Sequence, residues 1–156
     1  MTDTYIEEKI RERFLTIDTT ITSDDGEEID LLTKNENSNG DVIYTNIQMP
    51  NVAFTRPATG LWFEFLPIPT QPTQQELGTS GRNRWTFGLQ INICYPKDYG
   101  TYDINTAFNA IAGKFKRGDI FDGIRILNTA NRSSARAYDD FYSVPVTIIA
   151  QADLDN

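Results

Sequence analysis

The clearest periodic signal in the chain runs from Arg84 to Tyr95. There Trp85, Phe87, Leu89, Ile91, Ile93 and Tyr95 alternate with Thr86, Gly88, Gln90, Asn92 and Cys94. A period of two places successive side chains on opposite faces, so this is a half-buried β-strand, and Pro96 ends it. A second β-rich run, Leu61-Trp62-Phe63-Glu64-Phe65-Leu66, follows Val52-Ala53-Phe54 and a Pro-Gly turn, and Pro67 is expected to stop it. Helical spacing appears twice. Ile6, Ile10 and Phe14 recur on one face behind the capping box Thr4/Glu7, with Glu7, Glu8, Arg11 and Glu12 opposite, which predicts a helix over residues 4–15. Ile104, Ala107, Phe108, Ile111 and Phe115 form the second stripe, and Lys114, Lys116 and Arg117 complement its C-terminal dipole before Gly118.

The remainder reads as β. Residues 123–127 and 141–150 are predicted strands around a polar turn at 131–136. Tyr142, Val144, Val146, Ile148 and Ala150 share one face of the last strand. Pro145 lies on the other parity, which suggests an edge or bulged strand, and residues 151–156 look like a frayed tail. The chain is short enough for a single domain over 1–156. The order of elements predicts an α+β fold: a two-layer sandwich with a mixed or mainly antiparallel β-sheet and two helices packed on one face. Residues 67–83, with three prolines and two glycines and no periodicity, are expected to form a long loop that is functional or ordered by a partner.

Charge divides the chain unequally. The net charge is −8, and residues 18–41 carry seven of those charges: Asp18, Asp24, Asp25, Glu27, Glu28, Asp30, Glu36 and Asp41 stand against Lys34 alone. With Asn39-Gly40 as a hairpin dipeptide between apolar Ile29, Leu31, Val42 and Tyr44, the segment 18–45 is expected to be an acidic polar insertion or exposed hairpin. Asn35, Asn37 and Asn39-Gly40 resemble half of a calcium loop. Asn35 stands where Asp is required and Asn46 where the closing Glu belongs, so no metal is expected.

The chemistry of the composition is mostly exclusion. The chain has no histidine, which removes the usual general base and the commonest transition-metal ligand, and its one cysteine, Cys94, has no internal partner. No phosphate loop, nucleophile elbow or zinc-protease motif is present. Asp119, Asp122, Asp139 and Asp140 fall at expected turns, where aspartate serves local hydrogen bonding. No catalytic residue and no cofactor is therefore expected, and the chain reads as a non-enzymatic domain built into an assembly. Neither a signal segment nor a membrane-spanning run is visible, so synthesis in the cytoplasm is expected. The basic residues occur in small groups rather than in a stripe that would grip nucleic acid.

From Pro50 onward the order of short motifs resembles the tail terminator, or tail completion, proteins of long-tailed bacteriophages. The resemblance is carried by Val52-Ala53-Phe54, Leu61-Trp62-Phe63-Glu64, and the Pro/Gln/Gly-rich loop to Leu77-Gly78. It continues through Arg82-x-Arg84-Trp85 opening the alternating strand, Tyr95-Pro96, Phe115-Lys116-Arg117-Gly118 and Tyr142-x-Val144-Pro145-Val146. The acidic segment departs from the pattern by its length. The resemblance implies a virion structural protein at the neck end of the tail: a homo-oligomeric ring, six-membered in the family, that caps the tail tube, halts its polymerisation and offers the head-joining surface. Its implied partners are other copies of the chain, the tail tube protein and the head–tail connector proteins, with DNA passing through the channel without sequence-specific contact and no membrane involved. Glu76, Arg82, Asn83 and Arg84 are the expected contacts to a neighbouring subunit or to the tube. The alternatives are another neck or tail ring, such as a head-completion stopper or tube subunit, and a carbohydrate- or host-surface-binding module using Trp62 or Trp85 as platforms.

Overall fold

The structure is a computed structural model that describes residues 3–22, 25–57, 59–75 and 81–155. Helix α1 (Asp3–Leu15) leads into four short strands, β1 (Thr20–Thr22), β2 (Glu28–Asp30), β3 (Lys34–Glu36) and β4 (Val42–Tyr44). Strands β5 (Ile47–Gln48), β6 (Trp62–Pro69), β7 (Thr73–Gln74) and β8 (Arg82–Pro96) follow, then helix α2 (Tyr102–Lys114). The chain closes with β9 (Ile120–Phe121), β10 (Ile124–Ile126), β11 (Asn131–Arg132), β12 (Arg136–Ala137) and β13 (Phe141–Asp155). The main sheet has the order β5-β6-β8-β13-β10-β9. Strand β7 pairs with β8, and β11 and β12 pair with β13. All pairs are antiparallel except β5 with β6, so the expected α+β sandwich with a mainly antiparallel sheet is what the chain forms.

One face of the sheet carries the core. Phe87, Leu89, Ile91 and Ile93 of β8 are fully buried, with Phe63 and Phe65 of β6 and Val146, Ile148 and Ala150 of β13 beside them. The stripe Ile6, Ile10 and Phe14 of α1 lies on this face, and the Phe14 ring sits 5.8 Å from both Phe63 and Phe65. Ile104, Ala107, Ile111 and Phe115 of the second helical segment complete the same cluster. Arg13 joins the helices. Its Nε donates to the Lys114 carbonyl at 2.6 Å, satisfying one of the acceptors that a helix end leaves unpaired, and its guanidinium lies 4.4 Å from the Phe121 ring. Among the described residues no helix is long and apolar enough to cross a membrane.

Several expected boundaries move. Val52–Phe54, which leads into the second β-rich run, is irregular, and that strand begins at Trp62. Pro67 does not stop β6, which continues to Pro69 opposite Phe87. Strand β5 pairs only with Phe63 and Glu64, so beyond them β6 is the sheet edge, where a residue lacking an N–H is tolerated. The expected loop 67–83 is correspondingly shorter, since β6 occupies its start, β7 pairs inside it, and β8 already begins at Arg82. Pro145 is neither bulged nor on an edge strand: β13 pairs with β8 in unbroken register from Phe141 to Asp155. On its other side β11 ends at Val146 and β12 begins at Ser143, and Pro145 falls in that gap, contributing only its carbonyl to Ser133 N at 2.9 Å. The tail is not frayed through Asp155, because Gln151 to Asp155 pair with Thr86 to Arg82.

The acidic segment forms two ribbons, β1–β2 and β3–β4, each a sheet of its own. The turn between β3 and β4 is built by Asn37, whose Oδ1 accepts from the backbone N–H groups of Asn39 and Asp41 at 2.9 Å each, with Gly40 at φ +83°. Asparagine and glycine are there for the turn, since glycine takes positive φ without a Cβ penalty. At the ribbon base Asn46 is buried, donating Nδ2 to the Leu31 carbonyl at 2.8 Å and accepting from Thr33 N at 2.9 Å.

Candidate assembly surface

The even-numbered residues of β8 point away from the helices, and the registers align a second face with them. Cys94 lies between Trp62 and Ser143, Asn92 between Glu64 and Pro145, Gln90 between Leu66 and Thr147, and Gly88 between Ile68 and Ile149. Further along, Thr86 opposes Gln151 and Arg84 opposes Asp153, while Arg125 of β10 stands beside Gln151. The sheet is therefore sandwiched on one side only.

This second face has three zones. At the Cys94 end it is closed: Trp62 is 2% exposed, Phe141 packs on it at 5.3 Å between ring centroids, and the Arg56 guanidinium lies 5.0 Å from Trp62 and 4.4 Å from Phe141. Arg56 is held there by Asp140 at 2.8 Å, and Tyr138 stacks on Phe141 at 4.5 Å. Burial pushes the Cys94 thiol up to about 12, with the nearby Glu64 charge adding to the rise, so the group stays protonated near neutrality and is no reactive thiolate. A polar ladder comes next, Gln90 Nε2 to Asn92 Oδ1 at 2.8 Å and Asn92 Nδ2 to Glu64 Oε2 at 2.9 Å.

The middle is apolar and open. Leu66 and Ile68 are 41% and 47% exposed, and Ile68 lies so close over Gly88 that a Cβ there would come within 3.3 Å of it. The far end is basic. Arg84 grips Asp153 in a fork, Nε to Oδ1 at 2.8 Å and Nη2 to Oδ2 at 3.0 Å. That hydrogen bonding holds the Asp153 carboxyl below its usual range; desolvation opposes it, and the charges of Arg84, Arg82 and Arg125 add to the lowering. Three arginines thus gather around one carboxylate.

Of the contact residues expected from the sequence, Arg82 and Arg84 belong to this basic end. Asn83 is in β8 between them, in register with Gln74 and Leu154, and Glu76 lies outside the described residues. Asp153, Arg125, Leu66 and Ile68 complete the patch and were not singled out from the sequence. The alternation of β8 was the signal that could have found Leu66 and Ile68, once β6 was extended past Pro67. Three of the four turn acids serve local structure. Asp119 accepts from Arg13 Nη2 at 3.1 Å, Asp140 pairs with Arg56, and Asp122 with Gly123 forms the two-residue turn of the β9–β10 hairpin at φ 47° and 77°. Among the described residues no group of acidic or cysteine side chains could hold a metal ion. In the half-calcium-loop segment, Asn37 spends its side chain on the turn.

No protein-family model matches the chain, and no curated protein matches it. Five chains of solved structures do. One, whose name is a sequence identifier stating no activity, superposes with a TM-score of 0.57 at 16% identity, covering 70% of this chain and 80% of its own. At that identity the likeness concerns the fold alone, and it agrees with the α+β architecture.

Proposed function

We propose that this chain is a tail terminator: copies of it close into a ring that caps the tail tube of a long-tailed bacteriophage, stops its growth and presents the surface on which the head joins. The ordered motifs from Val52 to Val146 support the phage reading. The observation that supports assembly is the sheet face carrying Leu66 and Ile68, which the chain's own helices leave uncovered. Exposed aliphatic residues grouped beside a charged rim are characteristic of surfaces that meet a partner. A ring needs contacts in which one patch meets a different patch next door. The acidic segment 18–41, with seven net negative charges, and the basic sheet end are two such patches. On this reading the chain sits in the virion at the neck end of the tail, touching its own copies, the tube protein and the head–tail connector, with DNA passing through without sequence-specific contact.

The reading predicts that purified protein added to growing tail tubes blocks one end and arrests elongation. Tubes that continue to lengthen at both ends would overturn it. Polymerisation of the chain by itself would mark a tube subunit, and retention on DNA-filled heads a stopper. The carbohydrate reading finds little support in Trp62, which is covered by Phe141 and Arg56.

A further inference from the structure

We infer that Pro67 and Pro69 close the free edge of β6 to strand addition, so that neither a second copy nor a foreign strand extends the sheet there. The inference concerns the edge alone and does not depend on the terminator reading.

The direction of the backbone groups carries it. Phe63 N donates to the Asn46 carbonyl at 2.8 Å, away from β8. In an antiparallel pair, residues that bond the neighbouring strand alternate with residues whose N–H and C=O groups face away from it. Phe63 therefore sets the parity of β6: Trp62, Glu64, Leu66 and Ile68 bond β8, and residues 63, 65, 67 and 69 face outward. Strand β5 covers the start of this edge and ends at Gln48, in register with Glu64. Past Phe65 both outward positions are proline, which has no N–H. The strand runs on to Pro69 opposite Phe87, and its edge there offers carbonyls and no donor. Among the described residues no other strand pairs with this part of β6 on its outer side.

Without the prolines this edge would invite pairing. Phe65 to Pro69 is apolar throughout, and Leu66 and Ile68 are 41% and 47% exposed. An uncharged apolar edge strand is a template for aggregation, which proteins block with short strands, bulges, lysines, a covering segment or proline. Strand β6 is eight residues long, and its register with β8 is unbroken, so neither shortness nor a bulge protects it. It carries no lysine or arginine, and β5 covers only its start. Proline is the device that remains. Two such edges brought together would face acceptor to acceptor, leaving the carbonyls of both without a donor.

The test restores the donors in the full chain with Pro67→Thr, Pro69→Thr and the double variant. Each is compared with wild type by sedimentation over a range of concentrations, and circular dichroism checks the fold. Threonine favours strands and adds no large apolar surface. The double variant should self-associate about tenfold or more tightly than wild type, and each single variant less so. The amides of residues 67 and 69 should gain protection from hydrogen exchange as concentration rises. A folded double variant that sediments as wild type at every concentration would overturn the inference. New association in which those two amides exchange as fast as in dilute protein would also overturn it, because the added contact would then lie elsewhere. Pro69→Thr changes only the last residue of β6, so if the double variant fails to fold, the same two readouts on this single variant decide the question.

Discussion

Arg84 and Asp153 meet across β8 and β13 as a two-pronged pair, with N–O distances of 2.8 and 3.0 Å, at the open end of the sheet. The pair closes the last turns of a strand register that runs unbroken from Phe141, and it gathers Arg82 and Arg125 around the same carboxylate. Because the folded state holds the Asp153 proton affinity below that of the unfolded chain, the pair contributes stability above the unfolded value of 3.8, and that contribution is lost as pH falls through the lower folded value. Arg84→Ala should move the Asp153 titration midpoint upward toward the ordinary range. NMR titration of the Asp153 carboxyl checks this, and an unchanged midpoint would show that Arg84 is not the cause.

Asn46 ties the β3–β4 ribbon to the body of the domain through hydrogen bonds to Leu31 and Thr33. Asn46→Ala leaves both backbone groups without that partner, at an expected cost of ~1–3 kcal/mol. The loss should be local. Hydrogen exchange should speed up across residues 31–45 more than in β8, and uniform acceleration throughout the chain would contradict the anchoring role.

Cys94 gives the protein an alkaline limit. Its thiol is raised from 9.0 to about 12 chiefly by burial, so the folded state keeps a proton that the unfolded state releases. The contribution is whole below pH 9 and is lost as pH rises toward 12. Urea midpoints measured across that interval should fall less steeply for Cys94→Ala than for the wild type. Parallel slopes would indicate that the thiol does not ionise on unfolding.

Phe14 is fully buried between α1 and the sheet, in contact with Phe63 and Phe65. Phe14→Ala should cost ~3–5 kcal/mol. Tyr138→Ala, at an exposed ring stacked on Phe141, should cost far less. Chemical denaturation of the two variants compares them directly.

The sequence was most legible where burial imposes a period. The alternation from Trp85 to Tyr95 and the stripes of Ile6, Ile10, Phe14 and Ile104, Ala107, Ile111 identify the elements that form the core, because each faces a single apolar surface. Prolines were harder to read. Pro67 and Pro145 are compatible with strands here only because the first lies beyond the reach of β5 and the second faces a gap between β11 and β12, and both facts depend on strands distant in sequence. The same applies to the basic surface. Arg82 and Arg84 stand out in sequence, but Asp153 joins them only because residues 151–155, which carry no sustained apolar alternation, extend the central pairing. The ribbon's turn was visible in Asn39-Gly40, while the role of Asn37 in accepting the turn's N–H groups required the fold.

Electron microscopy of tails assembled with and without this chain tests the terminator account most directly. The account predicts tails of uniform length when the chain is present, and overlong tails of variable length, unable to join heads, when it is absent. Tails of normal, uniform length that join heads in its absence would contradict it.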